Sequence, residues 1–72
     1  MPGLPDNLIA LVVARADELA RAGASDVYAI ERLRDAAGGV VLVRLARARC
    51  ESSPAKPATR ALALLRAAEA SL

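Results

Sequence analysis

A small all-α protein, a bundle of three or four helices, is what this sequence predicts, on three observations. Alanine, the strongest helix former, supplies 18 of the 72 residues, with no Phe or Trp. Apolar residues recur at helical spacing between recognisable start and stop signals. Cys50 is the lone cysteine and histidine is absent, so neither an internal disulfide nor an ordinary zinc site is available to staple the fold. The length suits a single domain spanning 1–72.

The first helix starts at Pro5-Asp6-Asn7, where Asp6 or Asn7 offers a side-chain acceptor to the free amides of the first turn, and stops at Gly23. Leu8, Ile9, Val12, Val13, Ala16, Leu19 and Ala20 fall within about 140° of the helical wheel, the width of a core-facing stripe. Leu11 projects from the polar side. It is either an isolated surface leucine or part of a contact.

Ser25-Asp26 signals the second start and Gly38-Gly39 the stop. Ile30, Leu33 and Ala37 share one face; Tyr28, Glu31, Arg32 and Asp35 lie opposite. Tyr28, the only aromatic, reads as a half-exposed residue packing on a neighbour.

Val40 to Val43 is ambiguous, because β-branched residues after Gly-Gly suit a strand as well as a helix. The run Arg44 to Glu51 is rich in helix formers, and Val40, Arg44, Arg47 and Glu51 gather on one side of a wheel, which decides for helix. The alternative is a helix, β-hairpin, helix protein in which residues 27–34 pair with 40–47. As a helix, this segment spreads Val41, Leu42, Val43, Leu45, Ala46, Ala48 and Cys50 over more than half its circumference, which predicts a central position. Cys50 reads as a small buried apolar residue, since no His or second Cys activates or resolves it. A flexible connector follows near 52–56, where two prolines exclude a continuous helix. The last helix starts near Pro57, with Ala61, Leu62, Leu64, Leu65, Ala68 and Leu72 on its apolar face.

The apolar runs fall short of the ~20 residues of a membrane span. No basic residue precedes the first of them, unlike a secretory signal, so a cytoplasmic location is expected. The arginine and alanine excess suggests a GC-rich, bacterial genome as the source. Net charge is +2, with both signs interspersed.

General acid–base and nucleophilic chemistry draw mostly on His held in a cleft, and phosphate-binding loops need more glycine than Gly38-Gly39 supplies. Neither an enzyme nor a cofactor, metal or small-molecule site is therefore expected. Two functional readings remain. The first is a non-catalytic protein–protein interaction module that self-associates, as a homodimer, or docks onto a partner protein. A chain this short buries a small share of its surface, and the surplus apolar arc of 41–50 needs cover. Leu42, Val43 and Ala46, with Leu11, are the interface candidates. The second is a helix-turn-helix-like nucleic-acid binder placing Arg44 and Arg47, with Arg60 and Arg66, on phosphates. Against it, the turns that would read base edges are Val40-Val41-Leu42-Val43.

Overall fold

Four helices follow one another in a computed structural model that describes residues 6–52 and 59–71: α1 (Asp6–Arg21), α2 (Asp26–Ala37), α3 (Val40–Ser52) and α4 (Thr59–Ala70). Each packs against the other three, and the Cα radius of gyration is 11.0 Å. A compact chain of this length should have a radius of about 11 Å, so the helices leave no slack between them.

The turns are built as their residues dictate. Gly23, at φ 70°, ends α1: its amide donates to the Ala20 carbonyl and the Ala24 amide to that of Leu19. This reciprocal pair satisfies carbonyls the helix end leaves open, and Ala24, half-buried against the core, supplies the apolar contact such caps carry. Ser25 then caps α2, its Oγ accepting from the Tyr28 amide at 3.3 Å. Gly38, at φ 69°, closes α2 by donating to the Arg34 carbonyl, and Gly39 at φ 149° redirects the chain into α3. Both values lie where a Cβ is strained.

Residues 27–34 and 40–47 are both helical, which rules out the hairpin alternative. The β-branched run Val40 to Val43 lost to its context. Its continuation propagates a helix, and a two-stranded ribbon would have left α1 and α4 a smaller surface to pack on. Ser52, expected to open the connector, instead belongs to α3, its hydroxyl donating to the Ala48 carbonyl at 3.0 Å. The rest of the connector, Pro57 and Leu72 lie outside the described residues.

Among the described residues the core holds 14 side chains, six of them alanine: Ala16, Ala29, Ala37, Ala46, Ala61 and Ala68. Small residues at the contacts let four helix axes approach closely enough for all to touch. Leu33, Leu64, Leu65, Val12 and Val43 fill the centre and are essentially inaccessible to water. The α1 stripe follows the wheel, with Ile9, Val12, Ala16 and Leu19 buried, Val13 and Ala20 half-buried and Leu8 at the edge. In α2 the buried set is Ala29, Leu33 and Ala37; Ile30, expected inside, is half-buried because the smaller Ala29 takes the contact.

Helix α3 departs most from expectation. It was expected to be surrounded, yet it buries only Val43, Ala46 and Cys50, a stripe at i, i+3, i+7. Val43 and Ala46 are 0% exposed, so these two interface candidates are internal core residues and not surface contacts. Three partner helices cover one side of α3 and leave the other to solvent.

Candidate interaction surface

Turning α3 by 100° per residue shows what faces away from the core. Val41, Leu45 and Ala48 form a second stripe at i, i+4, i+7, about 165° around the helix from the buried one. Val41 is 56% and Leu45 37% exposed, and Ala48 is exposed as well. The helix is thus apolar on two opposite faces, and the other three helices use only one.

Ion pairs border the stripe on both flanks. On the α4 side, Arg44 Nε lies 3.2 Å from Glu69 Oε2, and Arg47 grips the same carboxylate through Nε at 2.9 Å and Nη2 at 3.3 Å. Arg47 also reaches Glu51 at 2.7 Å, and Arg66 of α4 meets the other oxygen of Glu51 at 2.6 Å. On the α1 side, Arg49 lies 2.9 Å from Asp6 Oδ1. The Arg47 and Arg44 guanidiniums hold the Glu69 carboxyl below its ordinary value, and Arg66 and Arg47 do the same for Glu51. The two carboxylates in turn push the Arg47 pKa up.

The four arginines of the nucleic-acid reading are therefore engaged within the chain. Arg44 and Arg47 share Glu69, Arg66 holds Glu51, and Arg60 binds Asp26 Oδ1 and the Ala24 carbonyl, each at 2.9 Å. A phosphate approaching any of them would meet a guanidinium whose charge is already paired with a carboxylate. Their geometric effect is to stitch α4 to α3 and to the α1–α2 turn, over a core short of large side chains.

The remaining candidates fall elsewhere. Leu42 is half-buried and lines a shallow apolar concavity at the α2–α3 turn with Ala37, Gly38, Gly39, Val40 and Val41. Leu11 is 61% exposed on α1. Asp6 marks the flank of α1 that meets α3, whereas Arg15 and Leu19 share a surface cleft with Tyr28 and Arg32 of α2. The wheel puts Leu11 on the flank with Arg15, away from α3, so the fold separates it from Leu42. Tyr28 packs as anticipated, with the Arg32 guanidinium 5.0 Å from its ring centroid. Cys50 is buried beside Glu51, and burial first, then the neighbouring charge, push its thiol pKa up, away from reactivity.

Val41, Leu45 and Ala48 are the surface residues that sequence reasoning did not single out. Their i, i+4, i+7 spacing was present among the apolar residues of the segment. What wheel geometry could not show was which of two apolar stripes turns inward, because size alone would bury Val41 and Leu45 ahead of Ala46 and Cys50. Close helix approach reverses that order.

Among the described residues no helix is long and apolar enough to cross a membrane, and no group of three His, Cys, Asp or Glu side chains is placed to hold a metal ion. In comparisons with known proteins, the chain matches no family model, no curated protein and no solved structure.

Proposed function

We propose that this chain is a non-catalytic helical interaction module that self-associates, as a homodimer, through the outward face of α3. The observation that carries the reading is the second stripe, Val41, Leu45 and Ala48, left open to solvent on a helix that already supplies a full stripe to its own core. An exposed apolar strip with charged borders has the anatomy of a protein contact: an apolar centre excludes water, and a polar rim sets register.

Charge is compatible with a like partner. Each border of the strip pairs an arginine with a carboxylate, Arg44 with Glu69 and Arg49 with Asp6, so two identical faces meet without a block of one sign opposing itself. One helix face is smaller than the ~800 Å² per partner of a standard stable interface, so the dimer should be reversible, with Kd weaker than about 1 μM.

Sedimentation equilibrium over a concentration series tests this directly. The wild type should pass from 7.5 kDa toward twice that mass as concentration rises, and Val41→Ser/Leu45→Ser should stay monomeric while keeping its helical circular dichroism. A wild type that remains at the monomer mass throughout defeats the reading.

A further inference from the structure

We draw no further inference here: the strongest candidate, the surface cleft between α1 and α2 lined by Arg15, Tyr28, Arg32 and Asp35, presents both charge signs with Arg15 already paired to Glu18 and Arg32 laid over the Tyr28 ring, and nothing in the structure shows what covers it.

Discussion

Truncating Leu33 to alanine probes the packing on which every surface argument depends. Leu33 lies in the middle of α2 with no exposed surface, and it is among the largest side chains enclosed by the four helices. Six of the 14 core side chains among the described residues are alanine, which cannot swing into a vacated space, so part of the cavity should remain open. Leu→Ala changes at such sites cost about 2–5 kcal/mol, the larger values where the site collapses least. At roughly 0.05–0.15 kcal/mol per residue, the whole domain is stable by only about 4–11 kcal/mol. One substitution should therefore remove at least about a fifth of the stability. In urea, with a slope of about 1 kcal/mol/M for a chain this small, the midpoint should fall by about 2 M or more. The same change at Leu11, 61% exposed, should stay within about 0.5 kcal/mol of wild type. Far-UV circular dichroism across a urea series, at one protein concentration, reads both. Equal small shifts for the two variants would mean that Leu33 is not enclosed as described.

Acid should loosen the α3–α4 seam. Glu51 and Glu69 titrate below their unfolded values because Arg66, Arg47 and Arg44 bond to their ionised forms, so their contribution is full above about pH 4.3 and is lost as pH falls through the lower, folded values. Melting temperatures measured from pH 7 to pH 2 should drop in that acid range, and Glu69→Gln should lower the melting temperature at pH 7 while flattening its fall in acid. Gly38→Ala should destabilise by about 1 kcal/mol through backbone strain alone, since φ is 69° and the space around a Cβ is open, with Gly38→Asn costing less; chemical denaturation of the two variants measures the difference. Cys50 should resist a disulfide reagent in the folded protein and react fully in denaturant, because its thiol is buried and its pKa raised; prompt reaction under native conditions would place it at the surface.

Much of the fold was legible because its signals are local. Gly23, Ser25 and Gly38 stand where backbone chemistry demands them, and the α1 stripe needs only a 3.6-residue period and one polar side. The ambiguity at Val40 to Val43 is decided locally as well, by the helix formers that follow. The orientation of α3 was not legible. By side-chain size its outward stripe would bury ahead of the inward one, and the choice between them is made by the fit of Ala46 and Cys50 against three other helices, which depends on where those helices lie. The arginines illustrate the same limit. Arg44 and Arg47 were correctly grouped on one side with Glu51, but Glu69, the carboxylate that engages both, lies 22 residues or more away in sequence.

Concentration-dependent amide chemical shifts of the uniformly labelled wild type test the central claim most directly, because they report every surface of the chain in one titration. On dilution from high to low micromolar, the account predicts changes concentrated at Val41, Leu45 and Ala48, with the core and the outer flank of α1 unmoved. Shifts centred on Leu11 and Tyr28, or none at any concentration, would contradict it.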